Sequence, residues 1–492
     1  MRSVPRTRIL KANDAPVNAN GSFVLYWMIA FRRLNWNFSL EQAVAWSLEL
    51  EKPLVILEAL RCGYPWASDR LHRFILDGME DNMRQAGKHD VLYYPYVERK
   101  KGAGKGLLSA LAKKACVIVT DDYPDFFIPK MVAAAARKMP VCLEQVDANG
   151  LLPMRAAERV FPTAYVFRRF LQKNLPSYAP EAPQADPLKG VNPEKPRPLP
   201  KTIIETWPPA SAEDLKRNPA LLAALPLDHD VTVVSQRGGP VAARKTLKEF
   251  LEKRISKYPE QRNEPEKEGT SGLSPYLHFG HISVHQVFQL LTEKERWFFD
   301  RLSDKATGGR SGWWGMSEAA EAFLDELITW REVGFNMCWQ RNDYDRYESL
   351  PDWSLETLKS HERDKRSYVY SLEEFTIGRT HDPLWNAAQM QLYREGRIHN
   401  YLRMLWGKKI LEWSRTPREA LSVMIELNNK YALDGRDPNS YSGIFWVLGR
   451  YDRAWGPERP IYGKVRYMTS ENTARKVRVK EYVKKYAPED PH

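Results

Sequence analysis

The sequence predicts a two-domain protein, with a doubly wound α/β domain followed by an all-α domain. The chain has 492 residues, more than one hydrophobic core usually supports. Its first part alternates short β-branched and aromatic runs with longer amphipathic segments, the pattern of a parallel sheet covered by helices on both faces. A proline-rich stretch then separates this part from a region in which strand patterns nearly vanish.

The α/β domain is assigned to residues 21–175. Its apolar runs have the length of strands, and the segments between them have helical periodicity. We expect strands at 23–28, 53–60, 91–97, 116–122 and 141–147, and helices at 39–51, 67–86, 104–114 and 126–138.

The segments on either side of this domain differ from it in composition. Residues 1–20 are polar and basic and lack the apolar centre of a secretory signal, so we interpret them as a disordered leader. An arm that touches nucleic acid is the alternative. Residues 176–208 are proline-rich, as in an extended interdomain linker, and residues 209–492 form the helical domain. Its helices are expected at 211–225, 240–257, 283–300, 316–337, 371–377, 383–396, 397–415, 416–430 and 471–485.

Charge and cysteine usage narrow the class of protein. Lysine and arginine outnumber the acidic residues by 74 to 62, and the formal charge of +12 suits a polyanionic partner such as nucleic acid. The four cysteines are widely spaced without a CxxC pair, which predicts buried thiols rather than disulfides or a metal site. No apolar run is long enough to span a membrane. Our expectation is a monomer in the cytoplasm, associated with the nucleoid in a prokaryote.

Two places combine residue types that suit a bound nucleotide. Ligands in doubly wound sheets favour the carboxyl ends of strands. Trp27, Met28, Asp121 and Asp122 lie at such ends, either lining a pocket for a second cofactor or serving as plain strand ends. In the later part, residues 269–274 form a turn of small and hydroxyl residues ahead of a helix, which either caps that helix or holds an anion.

The segment HNYLRM places His399, Asn400, Arg403 and Met404 within two helical turns, with Asn400 and Arg403 on one face. A buried arginine requires a carboxylate, and Asp434 in the LDGRDPN turn is the expected partner.

Two further pairs share helix faces. Trp406 and Trp413 are seven residues apart, about 10 Å along a helix axis, a spacing that ordinarily indicates core packing. Glu326 and Trp330 lie at i and i+4, which by itself is typical of a solvated glutamate near a core tryptophan.

Three motifs together carry a family resemblance. They are TSGLSPYLHFGHIS at 270–283, THDPLWNAAQMQLYREGRIHNYLRM at 380–404 and LDGRDPNSY at 433–441. With them, the chain resembles the photolyase/cryptochrome flavoproteins, and in particular the class II photolyases of cyclobutane pyrimidine dimers. The resemblance implies a helical domain that binds FAD and DNA, and light-driven electron transfer from reduced FAD to a flipped-out lesion in single- or double-stranded UV-damaged DNA.

The resemblance also implies which residues hold the cofactor. In this family the TSxLSPYL turn and an upstream tyrosine grip the FAD pyrophosphate, and an arginine–aspartate pair lies beside the flavin ring. Class I members carry an asparagine at the position of Asn400, and class II members carry one at that of Asn428, so either could tune the flavin here. The implied cofactor-binding residues are Tyr258, Thr270, Ser271, Gly272, Leu273, Ser274, Asn400, Arg403, Asn428, Asp434 and Asp437.

The same resemblance implies an electron-transfer chain and a substrate pocket. Trp406 would lie nearest the flavin, with Trp385 and Trp413 leading outward. Glu326 would hydrogen-bond to the damaged pyrimidine. The implied apolar walls and DNA contacts are Trp330, Met404 and Trp446 around the lesion, and Arg453 and Arg466 on the DNA.

The residues near the lesion favour the cyclobutane dimer as substrate. (6-4) photolyases carry histidines where this chain has Asn400 and Met404.

Two alternative functions and the presence of a second cofactor are left open by the sequence. A cryptochrome-like photoreceptor without repair activity is the main alternative, and a nucleotide-binding adaptor is the other. Class II members can carry a deazaflavin antenna in the sheet domain, but IAFRRLNWN after Met28 departs from their serine–arginine pattern.

Overall fold

The computed structural model describes residues 4–190, 194–217 and 219–488. The chain divides into two compact units. The first comprises residues 1–156, 174–248 and 273–294, and the second comprises residues 157–173, 249–272 and 295–492. The division differs from the predicted one, because the proline-rich segment and the helices up to Lys248 belong with the sheet rather than with the later helices.

The first unit is built on a six-stranded sheet in the order β1-β6-β5-β2-β3-β4. All neighbouring strands are parallel except β1, which is antiparallel to β6. The central strands are buried on both faces, as their continuous apolar sequences predict. This confirms the doubly wound α/β class. The strands are β1 (Ile9–Lys11), β2 (Phe23–Met28), β3 (Leu54–Leu60), β4 (Leu92–Val97), β5 (Ala115–Asp121) and β6 (Leu143–Val146).

The prediction of a disordered leader is wrong for residues 4–20. Strand β1 lies in this segment and pairs along the edge of the sheet with β6. The preceding Arg8 is fully buried, and its guanidinium donates to the carbonyls of Asp147, Gly150 and Leu151. The polar sequence misled because an edge strand needs only one covered face.

Helices cover both faces of this sheet. Helix α1 shows how the sequence starts one: Asn37 accepts hydrogen bonds from the amides of Ser39 and Leu40. The helices here are α1 (Phe38–Glu49), α2 (Asp69–Ala86), α3 (Leu107–Ala112), α4 (Ile128–Ala136), α6 (Lys201–Thr206), α7 (Ala212–Leu215), α8 (Pro219–Ala223), α9 (Pro240–Glu249), α11 (Ser274–His278) and α12 (Val284–Glu295). Helices α9 and α12 end one residue past the unit, and α5 (Ala164–Tyr178) is shared between the units.

The second unit is helical in the part of the chain that the structure describes. Its helices are α10 (Tyr258–Gln261), α13 (Glu318–Leu324), α14 (Arg331–Gln340), α15 (Asp352–Ser360), α16 (Leu372–Thr376), α17 (Pro383–Glu395), α18 (Asn400–Trp413), α19 (Pro417–Tyr431), α20 (Pro438–Val447), α21 (Ser470–Lys476) and α22 (Lys480–Lys485).

Several predicted helices are interrupted. The helix expected at 471–485 is divided into α21 and α22, because the amides of Arg478 and Glu481 donate to Glu264 and Glu266 instead of to their own helix. The helix expected at 211–225 is divided into α7 and α8, and the one at 283–300 ends as α12 at Glu295.

Two π-helical segments interrupt the helical sequence. Asp325–Trp330 joins α13 to α14, and Phe250–Arg254 follows α9. A π-helical turn inside an α-helix often marks a functional site. The first of these segments carries Glu326 and Trp330, which the family resemblance implies as residues of the substrate pocket.

The described helices include none that combines the length and the apolar character needed to cross a membrane. The structure describes all four cysteines; each is buried, and none takes part in a disulfide. The prediction of buried thiols is therefore confirmed.

Candidate active site

Arg403 and Asp434 form the ion pair that the sequence predicts. Arg403 lies in the first turn of α18, and its Nη2 is 3.0 Å from Oδ1 of Asp434, just beyond the end of α19. About a fifth of each side chain is exposed, 20% and 18%. The pair is therefore held together and still reachable by a bound molecule.

The turn that carries Asp434 is fixed by its neighbours on α19. A Cβ on Gly435 would lie 2.6 Å from the carbonyl oxygen of Asn428, so only glycine fits there. The amide of Arg436 donates to Oδ1 of Asn429 at 2.9 Å. Asp437 caps α20 by accepting a hydrogen bond from the amide of Asn439, so this predicted cofactor residue has a structural role of its own.

The two candidate asparagines differ in environment. Asn400 is exposed at the start of α18. Asn428 is buried, and its amide nitrogen donates to Oγ of Ser440 at 2.6 Å. Met404, one turn after Asn400, is half-buried. The choice between the two asparagines stays open.

His399 directly precedes α18 and is half-buried, and both of its ring nitrogens are shielded from solvent. Within the described part of the chain, neither ring nitrogen has a hydrogen-bond partner. Burial lowers the pKa of His399 to about 4, with the nearby Arg397 acting in the same direction, so the imidazole is neutral near pH 7. Unsatisfied buried nitrogens usually indicate an absent partner, and both can hydrogen-bond to a ligand.

Residues 270–272 of the predicted cofactor turn belong to the second unit, and residues 273–274 belong to the first. In the second unit, the carbonyl of Thr270 accepts from Arg254 at 2.9 Å, Ser271 is half-buried, and Gly272 has a φ of 71°, which favours glycine. In the first unit, Leu273 is buried and Ser274 is exposed at the start of α11. The predicted helix after the turn is therefore present.

Tyr258, the predicted upstream tyrosine, begins α10 and is buried. Its ring packs edge-on against Phe250 and Phe323. Burial raises the pKa of Tyr258, so its hydroxyl stays protonated and available as a donor.

The three predicted electron-transfer tryptophans lie together in the second unit, each at most 2% exposed. The rings of Trp385 and Trp413 are 5.8 Å apart at 70°. The indole nitrogen of Trp385 donates to the carbonyl oxygen of Trp406 at 3.0 Å, and that of Trp406 donates to Gln389 at 2.9 Å. The indole donors of Trp385 and Trp406 are therefore satisfied inside the unit.

Glu326 is engaged by an arginine that the sequence analysis missed. Nη1 of Arg262 is 2.5 Å from Oε1 of Glu326, and about a third of each side chain is exposed. Burial raises the pKa of Glu326, and the guanidinium of Arg262 opposes this shift. The two residues are 64 positions apart, so no spacing within one helix could have indicated the pair.

A bidentate ion pair supports the π-helical segment that carries Glu326. Arg168 donates to both carboxylate oxygens of Asp325, at 2.7 and 3.0 Å, and also to the carbonyl of Gly308. Buried pairs of this geometry position neighbouring groups precisely enough for recognition. Trp330, at the end of the segment, is half-buried.

Comparisons with known proteins decide the family. The chain matches no protein-family model. It is 34% identical to the deoxyribodipyrimidine photo-lyase of Methanothermobacter thermautotrophicus, an alignment that covers 97% of each chain. It is 33% identical to that of Potorous tridactylus, over 99% of this chain and 85% of the relative.

This chain belongs to the deoxyribodipyrimidine photo-lyase family. Its similarity to cryptochrome-2 of Arabidopsis thaliana, at 32% identity, covers 44% of this chain and 36% of the cryptochrome. A crystal structure of a bacterial class III photolyase from Agrobacterium tumefaciens matches with a TM-score of 0.68 and 18% identity, over 95% of this chain and 86% of that chain. That match shows the photolyase fold, and membership of class II stays a prediction.

The residues of this photo-lyase family member fit a flavin nucleotide. The unsatisfied nitrogens of His399 and the partly exposed Arg403–Asp434 pair supply both donors and acceptors. The edge of a flavin ring carries both donors and acceptors and therefore needs both kinds of partner, whereas phosphates need donors.

Trp446, predicted as one wall of the lesion pocket, is half-buried near the end of α20. A second residue that the sequence analysis missed lies beneath it. The ammonium of Lys408 is 5.1 Å from the ring centroid of Trp446 and donates to the carbonyl of Val447. Burial lowers the pKa of Lys408 to about 7, and Arg466 acts in the same direction.

The two predicted DNA-binding arginines lie on one tryptophan. The guanidinium of Arg453 is 4.7 Å from the ring centroid of Trp455, and that of Arg466 is 4.1 Å away. Asp452 lies 3.4 Å from Arg466. Arg453 is exposed, so one cation of this group is open to a phosphate.

The strand ends of the first unit do not offer free groups to a second chromophore. Both carboxylate oxygens of Asp121 accept internal hydrogen bonds, from the amides of Ile29, Ala30 and Phe31 and from the Tyr26 hydroxyl. Asp122 is paired with Arg155, and burial raises its pKa to about 7. Trp27 and Met28 are buried, so these four residues do not fit an antenna site.

Proposed function

We propose that this protein uses light to repair cyclobutane pyrimidine dimers in DNA. The observation that supports this proposal most strongly is the similarity to a deoxyribodipyrimidine photo-lyase, which covers 97% of both chains. The formal charge of +12 agrees with a nucleic-acid partner. Within this proposal the protein is a monomeric class II member that acts in the cytoplasm, on the nucleoid in a prokaryote.

FAD, when bound, supplies the light-excited electron that opens the cyclobutane ring. The protein's part is to hold that cofactor, orient the lesion and exclude water. The residues that would hold the cofactor are Tyr258, Thr270, Ser271, Gly272, Leu273, Ser274, Asn400, Arg403, Asn428, Asp434 and Asp437.

Arg403 and Asp434 act as one unit in this proposal. The arginine supplies a permanent positive charge and several donors, and the aspartate fixes its orientation at 3.0 Å. Since both side chains are partly exposed, the pair keeps donor and acceptor atoms for a cofactor. Trp406, Trp385 and Trp413 would return electrons to this site from the protein.

Trp330, Trp446 and Met404 provide apolar surface for the lesion. A cyclobutane dimer stacks poorly in the duplex, so flipping it out costs less than flipping an intact pair, and aromatic walls recover part of that cost. Glu326 would hydrogen-bond to the pyrimidine edge, with Arg262 holding its carboxyl group in position. Arg453 and Arg466 would bind phosphates, a contact that positions DNA without reading its sequence.

The direct test uses oligothymidine that carries UV-induced dimers. Purified protein with its flavin chemically reduced is illuminated with near-UV light, and dimers are counted by chromatography against a dark sample. We expect dimers to disappear only in the light. Dimers that persist under illumination in flavin-loaded protein would contradict the proposal.

The tryptophan assignment has its own test. Trp406→Phe is expected to block photoreduction of the flavin, while the chemically reduced variant still repairs dimers. Equal loss of repair in the pre-reduced variant would refute the electron-transfer role of Trp406.

A cryptochrome-like photoreceptor is the second candidate, because similarity to cryptochrome-2 extends over 44% of this chain. Such a protein would bind and photoreduce flavin without removing dimers. The same two assays therefore separate the candidates.

A further inference from the structure

We propose that Tyr370 and His381 form a proton-coupled electron relay between Trp413 and the protein surface. Tyr370 donates an electron to oxidised Trp413, and His381 takes up the proton of the Tyr370 hydroxyl. This relay rests on the proposed function, since it presupposes light-driven oxidation of the buried tryptophans. Tyr370 lies outside the three motifs, and His381, although it lies in the motif at 380–404, is not among the site residues that the resemblance implies.

Trp413 contacts two aromatic side chains outside the tryptophan set, those of Tyr370 and His381. The ring centroid of His381 lies 5.0 Å from that of Trp413, and the ring of Tyr370 lies 5.6 Å away. Both distances are shorter than the 5.8 Å that separates Trp413 from Trp385. An electron can therefore reach Trp413 from this cluster over a gap no longer than the one inside the tryptophan set.

The hydroxyl of Tyr370 is arranged for proton transfer to His381. The backbone amide of His381 donates to the Tyr370 oxygen at 3.0 Å, and Nδ1 of the same histidine lies 2.7 Å from that oxygen. In the tautomer that carries the imidazole proton on Nε2, Nδ1 accepts the hydrogen of the Tyr370 hydroxyl. A phenol and a base within 3 Å meet the geometric requirement for general-base catalysis.

Capped helix starts hold both residues in place. Tyr370 directly precedes Ser371, which caps α16 in a capping box with Glu374. His381 directly precedes Asp382, which caps α17. The amide of Tyr370 also donates to the carbonyl of Trp413 at 3.2 Å. The relay geometry is thus preorganised by backbone contacts.

Exposure increases outward along the cluster. Trp413 is buried at 2%, Tyr370 is half-buried, and His381 is exposed. Tyr368 stacks on His381 with centroids 3.7 Å apart and is 47% exposed. A proton on His381 can therefore pass to water.

The chemistry is a one-electron, one-proton step. A tryptophan radical cation at Trp413, produced when a light-excited flavin oxidises the tryptophan chain, takes one electron from Tyr370. The O–H bond of Tyr370 breaks, and its proton forms an N–H bond at Nδ1 of His381. The products are neutral Trp413, a neutral tyrosyl radical and an imidazolium ion that releases its proton to solvent.

Two local features favour this direction. Burial raises the pKa of Tyr370, so the phenol is protonated beforehand and its oxidation needs the base. The ammonium of Lys409, paired with Glu412, lies 5.3 Å from the ring centroid of Trp413 and disfavours a positive charge on that ring.

The test is transient absorption and freeze-trapped electron paramagnetic resonance of flavin-loaded protein under blue light, without DNA. Wild type is expected to show a tyrosyl radical and a deuterium-solvent effect on the decay of the tryptophan radical. Tyr370→Phe should abolish both. His381→Phe keeps a ring in the stack but removes the base, and should slow tyrosine oxidation about 100-fold.

Tyr368→Phe is the matched control, since it removes a neighbouring hydroxyl without touching the Tyr370–His381 hydrogen bond. It should retain the tyrosyl signal and the solvent effect. If Tyr370→Phe leaves the tyrosyl signal and the tryptophan decay unchanged, the relay is wrong. Dimer repair by pre-reduced wild type is a separate assay, and its failure contradicts the proposed function rather than the relay.

Discussion

At the strand ends of the first unit, the carboxylate of Asp121 accepts four hydrogen bonds and is fully buried. In the second unit, Arg403 and Asp434 share one ion pair and stay partly exposed, and His399 keeps two unsatisfied nitrogens. The first arrangement satisfies its own polar groups and therefore stabilises the fold. The second leaves polar atoms for another molecule. Candidate sites are better located by unsatisfied buried groups than by the presence of charge.

The largest expected effect on stability concerns Asp121 and the four hydrogen bonds that its carboxylate accepts. Asp121→Ala would leave three buried backbone amides without an acceptor, which should lower the free energy of unfolding by about 3–5 kcal/mol. Urea unfolding followed by circular dichroism measures this. Asp90→Ala, at an exposed position, is the control and should change stability by less than about 0.5 kcal/mol. A similarly small change in both variants would contradict the claim that the hydrogen bonds of Asp121 stabilise the fold.

The shielded ring of His399 in the second unit predicts a pH dependence of stability. The pKa of His399 is about 4 when folded and about 6.5 when unfolded. The unfolded state therefore binds more protons between these values, and stability is lost as pH falls from about 6.5 to 4, by at most about 3 kcal/mol.

His399→Asn should remove that part of the acid sensitivity, measured as the difference in unfolding free energy between pH 6.5 and pH 4.5. His72, whose pKa burial also lowers to about 4, is present in both proteins and cancels in the comparison. Identical acid sensitivity in both proteins would show that the ring nitrogens of His399 are not shielded from solvent as described.

The Arg403–Asp434 ion pair should contribute more to the affinity for flavin than to the stability of the fold. Asp434→Asn is expected to weaken flavin binding by about 1.5–3 kcal/mol, because it removes the negative charge that strengthens the hydrogen bond from Arg403. It should change the free energy of unfolding of the flavin-free protein by less than about 1 kcal/mol, since the pair is partly exposed. Flavin fluorescence during dilution measures the first quantity. Equal losses in both would indicate a purely structural pair.

The smallest expected effect concerns the exposed arginine. Arg453→Ala should reduce the slope of log affinity for dimer-containing DNA against log salt by about one, the release of about one counterion. Lys88→Ala, on the sheet unit, is the control. An unchanged slope for Arg453→Ala would exclude a phosphate contact at that position.

Much of the fold could be predicted because its signals are local. The strands near 23–28 and 116–122 were visible as continuous apolar runs, and α17 and α18 as periodic segments. The edge strand at Ile9–Lys11 was missed because only one of its residues is even partly covered. The break between α21 and α22 was missed because it depends on Glu264 and Glu266, more than 200 residues away.

The site was predictable in the same uneven way. Arg403 and Asp434 were paired correctly because a buried arginine needs a carboxylate and few were near. The sequence analysis missed Arg262, Lys408 and Tyr370. Each of them contacts a residue on a different element, and spacing along one helix cannot predict such a contact. The roles of the predicted site residues stay predictions.

The most direct measurement is a crystal structure of the flavin-loaded protein with DNA that contains one thymine dimer. We predict that the dimer lies outside the duplex between Trp330 and Trp446, with a pyrimidine group hydrogen-bonded to Glu326 and the flavin beside Arg403 and Asp434. A dimer that remains stacked in the duplex, or a flavin bound away from the Arg403–Asp434 pair, would contradict this account.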